Sequence, residues 1–325
     1  MRPVATPARR VIAPENALPE SYHALRERRA GVSVTKRPRD ATSGEPLDLV
    51  IQAHAIVRED IAFLAGITEA DDVEPLSNAA NEAYRLHDIR QWAGVEEACV
   101  AANYDCAAVP QHRLRNRVRL VALDMDSTLI TIECIDEIAD MHGMKPAVAG
   151  ITERAMQGEI DFRESLIRRV ELLRGLPVAA LERTYSDRVS LSPGARTMLD
   201  RFKAAGAKTL LVSGGFTFFT ERLKTLVGFD HTLGNVLEIS NDTLTGRIVG
   251  DIVDAESKAN MFRRLADQYR GDDGITVAIG DGANDLPMLR EADVSVAYHA
   301  KPKVRAEAMH AIDHCGLDAV LNLFV

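Results

Sequence analysis

Leu120-Val121-Ala122-Leu123-Asp124-Met125-Asp126-Ser127-Thr128-Leu129 is the stretch on which the reading of this chain turns. Four apolar residues without polar alternation read as a strand buried on both faces, as in a parallel sheet covered by helices. The run then breaks into two carboxylates and two hydroxyls. On its own this is either a turn with a helix cap, where Asp and Ser are common, or a ligand site beyond the carboxyl end of a strand. Two further runs have the same form: Thr209–Val212 passes into Ser213-Gly214-Gly215, and Thr276–Ile279 passes into Gly280-Asp281-Gly282-Ala283-Asn284-Asp285. No single cluster decides the matter, but three at equivalent ends of an open sheet would converge on one site.

Working outward, Val294–Ala297 is a fourth short apolar run, and helical segments alternate with these strands. Residues 135–190 read as helices only, too long for one crossover, and are expected to form an inserted cap. The segment Asn235–Val253 alternates around Asn241-Asp242 and Gly246 and predicts a β-hairpin. Upstream, strands at Leu47–Ala53 and 81–86 and helices at Ile56–Leu64 and Val95–Tyr104 predict a small α+β unit. Residues 1–46, rich in Pro, Arg, Ala and Ser, are expected to be disordered apart from a short helix near Tyr22–Arg29. The predicted fold class is therefore α/β: a Rossmann-like parallel-sheet core at 116–325 with a helical cap, preceded by the α+β domain at 47–115.

The 325 residues carry a net charge of −9, which argues against a nucleic-acid partner. A small anionic substrate stays compatible, because a pocket can be locally positive on an acidic protein. No apolar run reaches the length of a membrane span. The arginine-rich start is interrupted by Glu15, Glu20 and Glu27, so a transit peptide is the lesser reading. Cys99, Cys106, Cys134 and Cys315 form no CxxC pair and fit a reducing cytoplasm. A homo-oligomer is compatible with all of this.

Carboxylates crowded together repel unless a cation neutralises them. Asp124, Asp126 and Asp281, as hard oxygen donors few in number, suit Mg²⁺. A carboxylate can also attack phosphorus, and one two residues on can serve as acid and base. Ser213-Gly214-Gly215 ahead of a helix is either a glycine turn or a phosphate cradle. Lys258 lies four residues before Phe262 and seven before Leu265, on the apolar face of its helix. It either snorkels at the helix end or faces a phosphate. Arg169 falls within about 20° of Phe162 on the stripe Phe162, Leu166, Val170, Leu173, and needs an anion: an internal ion pair or a substrate carboxylate. Glu133 is either a first-turn helix acid or a partner for a substrate ammonium.

Taken in order, Asp124-Met125-Asp126-Ser127-Thr128-Leu129, Ser213-Gly214-Gly215, Lys258 and Gly280-Asp281-Gly282-Ala283-Asn284-Asp285 resemble the four motifs of the haloacid dehalogenase phosphatases. The closer resemblance is to their phosphoserine phosphatase branch. It rests on Glu133-Cys134-Ile135-Asp136-Glu137, Met156, Phe162 to Leu173 and Val212-Ser213-Gly214-Gly215-Phe216, and spans residues 118–325. The resemblance implies a Mg²⁺-dependent phosphatase with phosphoserine as substrate. Asp124 would be the nucleophile and Asp126 the acid and base, also binding metal through its backbone carbonyl. Asp281 would complete the metal ligands, supported by Asp285. Ser213, Gly214 and Lys258 would hold the phosphoryl group, with Asn284 orienting it. Glu133 would take the serine ammonium and Arg169 its carboxylate, with Met156 and Phe162 lining the pocket. Met125 stands where the family often has phenylalanine, and is expected to point into the core. Larger relatives carry amino-acid-binding regulatory units of the ACT type, and residues 47–115 have room for one. The rival readings are a phosphatase or phosphotransferase for another small phosphomonoester, and a binding protein on a retired phosphatase scaffold.

Overall fold

The computed structural model describes residues 46–76 and 81–325, and the chain divides into two compact units between Gln111 and His112. The predicted helix near Tyr22–Arg29 and the expectation for the segment before Pro46 lie outside the described residues.

The first unit runs β1 (Leu47–Ala53), α1 (Arg58–Thr68), β2 (Asp72–Leu76), β3 (Glu82–His87), α2 (Val95–Ala102) and β4 (Asp105–Pro110). Its strands pair antiparallel in the order β2-β3-β1-β4, which is the βαββαβ arrangement of ferredoxin-like folds. Leu49 and Ile51 of β1 pack with Ile61 and Leu64 of α1 and with Cys99 of α2. Strands β2 and β4 went unseen in the sequence, for a physical reason. Asp72-Val73-Glu74-Pro75-Leu76 is acidic and holds a proline, tolerated because β2 is an edge strand. Asp105-Cys106-Ala107-Ala108-Val109-Pro110 is poor in residues that favour strands, and only pairing with β1 makes it one.

The second unit holds a seven-stranded sheet of order β11-β10-β9-β5-β6-β7-β8. These strands are β5 (Val118–Asp124), β6 (Lys208–Phe216), β7 (His231–Ser240), β8 (Thr243–Val249), β9 (Ile275–Gly280), β10 (Val294–Tyr298) and β11 (His310–Ile312). All neighbours run parallel except β7 and β8, the hairpin expected from the alternating segment. Asn241 and Asp242 at its tip both take left-handed φ, +48° and +60°, as a two-residue hairpin turn requires. Strand β5 lies between β6 and β9, so the chain leaves it toward one side and later returns on the other. That reversal opens a crevice beyond the carboxyl ends of β5, β6 and β9.

Between β5 and β6 the chain forms α3 (Cys134–Met141), α4 (Lys145–Met156), α5 (Phe162–Leu172) and α6 (Val178–Arg188), followed by α7 (Ala195–Ala204). The remaining helices are α8 (Thr217–Val227), α9 (Ala255–Tyr269), α10 (Leu286–Glu291) and α11 (Pro302–Glu307). On one sheet face Leu120, Ala122, Leu210, Val212 and Ala278 pack against Phe262 and Leu265 of α9 and against Leu286, Met288 and Leu289 of α10. Each large side chain so buried contributes about 1.5–3 kcal/mol. This face locks α9 to the sheet, and with it the direction in which the first turn of α9 points. Among the described residues no helix is long and apolar enough to cross a membrane.

Candidate active site

After β5 the backbone folds back on itself. Ile130 N–H donates to Met125 O at 3.0 Å and Ser127 N–H to Ile132 O at 3.1 Å, with Ser127 in the left-handed region at φ +55°. Met125 is fully buried, as expected of a side chain facing the core. The two flanking aspartates face the crevice and have different partners. Asp124 Oδ1 accepts from Lys258 Nζ, which also donates to Asp285 Oδ1 at 2.8 Å. Asp126 Oδ1 accepts from Cys134 N–H at 3.0 Å, and Ser213 Oγ donates to Asp126 Oδ2 at 3.4 Å.

Lys258 sits in the first turn of α9, whose N-cap Asp254 accepts from Ser257 N–H at 2.9 Å. The cap fixes the start of the helix, and the Phe262–Leu265 stripe fixes its roll, so the lysine enters the crevice rather than solvent. Burial opposes its charge, but the Asp124 and Asp285 carboxylates outweigh burial and hold its pKa above the ordinary lysine value. Asp285 is itself pinned by Gly282 N–H at 3.0 Å. Asn284 lies in the same turn with its Oδ1 close over Gly282.

The acidic side is crowded. Burial, followed by the charge of Asp285, pushes the Asp124 carboxyl well above the usual carboxylate range despite the pull of Lys258. Burial and the charge of Glu133 raise Asp126 to about 7, against the Cys134 N–H that favours its ionised form. Burial and Asp285 raise Asp281 to about 6. Asp124, Asp281 and Asp285 each place a carboxylate oxygen within 4.8 Å of the other two. Thr128 Oγ1 donates to Asp281 Oδ1 at 3.3 Å. One lysine does not balance this charge, and the hard oxygen donors fit a divalent cation. The side-chain cluster thus contains Asp285, expected only as support, while the Asp126 carboxylate turns to Cys134 and Ser213.

At the carboxyl end of β6, Ser213 Oγ accepts from Gly215 N–H at 2.8 Å and curls the backbone. Glycine at 215 is needed for space: a Cβ there would sit 2.9 Å from both Asp126 Oδ2 and Ser213 Oγ. Phe162 at the start of α5 reaches this loop. A Cβ on Gly214 would lie 3.1 Å from its Cζ, so the cap rests against the cradle. The side chain of Met156 lies outside those described.

Arg169 is partly buried in the cap, and its only hydrogen bond among the described residues runs from Nε to Ser165 O at 3.4 Å. Burial lowers its pKa, and the carboxylates of Asp136, Glu133 and Asp126 oppose that effect. Among the described residues its fork has no hydrogen-bonded partner of its own. Glu133, at the mouth, accepts from Ser127 Oγ at 2.8 Å. The predicted residues of the three strand ends and of α9 therefore meet around one crevice, with Glu133, Phe162 and Arg169 on its cap side. Thr128, Ser127 and Asn235 also belong to this network and were not singled out. Asn235 carried no usable signal, because β7 is only half-buried and the segment reads as an alternating hairpin.

The family model for haloacid dehalogenase-like hydrolases matches residues 121–290, more than half of the chain. The chain belongs to the haloacid dehalogenase-like hydrolase family. Within it, the chain is 52% identical over 221 residues to a phosphoserine phosphatase of Polaromonas sp., covering 66% of this chain and 93% of that protein. The crystal structure of a probable phosphoserine phosphatase from Vibrio cholerae, unliganded, superposes with a TM-score of 0.74 at 36% identity, covering 85% of each chain. A substrate-bound phosphoserine phosphatase complex superposes with a TM-score of 0.59 at 33% identity, covering 64% of this chain and 99% of that one. The stretch shared with these hydrolases includes β5, β6, β9 and the cap, the elements that build the crevice.

Proposed function

We propose that this protein hydrolyses O-phospho-L-serine to L-serine and phosphate through an aspartyl-phosphate, the last step of L-serine biosynthesis. The observation that carries the substrate is the pair Arg169 and Glu133, one cationic fork and one carboxylate, on the cap side of one crevice. An amino acid presents the complementary pair of charges. The relatives' names point the same way.

In this reading an Asp124 carboxylate oxygen attacks phosphorus, and the bond from phosphorus to the serine oxygen breaks. Asp126, with a pKa of about 7, is divided between its two protonation states near neutrality. It gives its proton to the departing serine oxygen, then takes one from the water that attacks the aspartyl-phosphate. Ser213, the backbone at Gly214 and Lys258 hold the phosphoryl oxygens, and Asn284 orients them. Phe162 and Met156 wall the pocket, and the cap keeps bulk water out until the serine has left. Asp124, Asp281 and the backbone carbonyl of Asp126 would hold Mg²⁺, with Asp285 beside them. When bound, Mg²⁺ supplies the positive charge that stabilises the phosphoryl oxygens in the transition state.

The test of substrate is phosphoethanolamine, which keeps the ammonium and lacks the carboxylate. Phosphoserine should exceed it in kcat/KM by at least about a hundredfold, because the Arg169 fork is left unpaired in the poorer complex. Arg169→Leu should bring the two substrates close together. Equal turnover of both by the unaltered protein would end the serine assignment.

Metal dependence should carry the signature of the raised carboxyls. Chelation should abolish activity and Mg²⁺ restore it. Binding needs deprotonated ligands, so apparent Mg²⁺ affinity should fall by roughly tenfold or more for each unit of pH below the Asp281 value, about 6, since the raised Asp124 carboxyl must also lose its proton. Stability of the metal-free protein runs the other way. A carboxyl whose folded pKa is raised stabilises the fold at low pH and loses that contribution as pH climbs through the folded value. Between pH 5 and 8, across the Asp281 and Asp126 values, the metal-free protein should therefore melt at progressively lower temperature. Mg²⁺ should raise Tm most at pH 8. Calorimetric titration and thermal melts across that range check both, and a metal-free Tm that rises steadily from pH 5 to 8 would contradict the site's electrostatics.

The βαββαβ topology supports reading the first unit as ACT-like, and we propose it as a regulatory unit. The four cysteines are free, which supports a cytoplasmic setting.

A further inference from the structure

Strand β7 is not part of the chemistry described so far, yet it carries a side chain that touches two of the loops that perform it. Asn235 is 1% exposed. Its Nδ2 donates to Gly214 O at 2.8 Å, and its Oδ1 accepts from Val253 N–H at 2.8 Å. Gly214 belongs to the glycine turn at the carboxyl end of β6. Val253 directly precedes Asp254, the N-cap of α9, and Lys258 N–H donates to Asp254 O at 3.1 Å. A single amide thus spans the two segments that present a hydroxyl, backbone and an ammonium to the same anion. Both of its polar ends are used, and the roles are unambiguous: one partner is a carbonyl and the other an N–H.

We infer that Asn235 is a positioning residue for phosphate recognition, setting the distance between the Ser213-Gly214-Gly215 loop and the lysine-bearing turn of α9. The inference rests on the proposed role of Ser213, Gly214 and Lys258 in holding the phosphoryl group. The neighbouring backbone leaves little slack. A Cβ at Gly234 would lie 3.3 Å from Thr217 N and 3.5 Å from Gly215 O, so the carboxyl end of β6 and the start of α8 lie directly on β7. The parallel register ends with Phe216 opposite Asn235 after a shift from Val212 opposite Leu233. In that shift the Ser213–Gly215 carbonyls and N–H groups leave the sheet ladder, and the Gly214 carbonyl takes the asparagine instead. Without that donor the half-buried carbonyl would lose its side-chain partner, and the turn would move to find another. No cap residue is hydrogen-bonded in this bridge, although Phe162 rests on Gly214, so discrimination through Glu133 and Arg169 should be largely kept when the bridge is lost.

The experiment uses the full chain with Mg²⁺. Asn235→Asp keeps an acceptor for Val253 N–H and, when ionised, offers Gly214 O no donor. Asn235→Ser, too short to span both partners, is the second variant and decides alone if the first does not fold. Inhibition by inorganic phosphate, kcat/KM for phosphoserine, and the ratio of phosphoserine to phosphoethanolamine are measured beside thermal melts. The inference expects the phosphate inhibition constant to rise by about tenfold or more and kcat/KM to fall at least as far, as the turn loses the donor that positions it. The ratio of the two substrates should stay within about twofold, since the cap contacts are intact. Folded variants that bind phosphate like the parent would overturn it. So would a collapse of the substrate ratio together with phosphate binding, which marks general damage. Ser213→Ala separates the layers: if it leaves phosphate inhibition unchanged, the cradle assignment itself fails and this inference goes with it.

Discussion

Asp124→Asn is expected to reduce phosphoserine hydrolysis by roughly 10⁴-fold or more, the scale seen when a nucleophile that acts within a concerted unit is removed. The protein should remain at least as stable as its parent. The two halves of the prediction come from the same geometry. In the proposed mechanism the Asp124 carboxylate forms the bond to phosphorus, and an amide of equal volume does not replace it as a nucleophile. As a buried acid beside Asp285, however, Asp124 is held in an unfavourable environment that raises its pKa well above the usual range. Replacing it by a neutral amide removes repulsion, and Lys258 keeps its bond to Asp285. Steady-state assays with Mg²⁺ and a denaturant melt test both halves. Activity within about tenfold of the parent would remove Asp124 from the role of nucleophile.

Lys258→Met should have the second largest effect, and it should strike stability and activity together. The lysine side chain is 1% exposed and bonds two carboxylates that are themselves 6% and 0% exposed. Methionine fills much of the same volume and leaves two buried acids facing one another. Removing one partner of a buried ion pair costs roughly 3–5 kcal/mol, and protonation of the orphaned acids limits the damage at low pH. The loss should therefore be greatest at pH 8, and Mg²⁺ should recover part of it by restoring positive charge between the acids. Turnover should fall by about a thousandfold or more, because a preorganised cation at the phosphoryl group is lost. A variant that melts with the parent at pH 8 and keeps its kcat would contradict the electrostatic account of the site.

These two residues also show how much of the site was legible beforehand. The apolar runs at Leu120–Leu123, Thr209–Val212 and Thr276–Ile279 announced strands buried on both faces, and all three lie within a continuous parallel stretch of the sheet. The stripe Lys258, Phe262, Leu265 was readable because helical periodicity is local, and it is the stripe that α9 buries. Arg169 was visible for the same reason. Strands β2 and β4 were not, because their residues only become strands when β3 and β1 supply the ladder. Asn235 looked like the start of a hairpin; its role as a bridge depends on where Val253 and Gly214 come to rest.

By itself the sequence determined the class of fold, the order of the chemical clusters and the face on which each polar side chain lies, because periodicity and capping act over a few residues. The tertiary structure alone decided which carboxylates cluster, that Asp285 stands with Asp124 and Asp281 while the Asp126 side chain turns to Cys134 and Ser213, and that Lys258 reaches Asp124 across 134 positions of chain. Those distances follow from strand order and from the docking of α9 on the sheet, which arise from the packing of the whole unit and have no signature in any one segment.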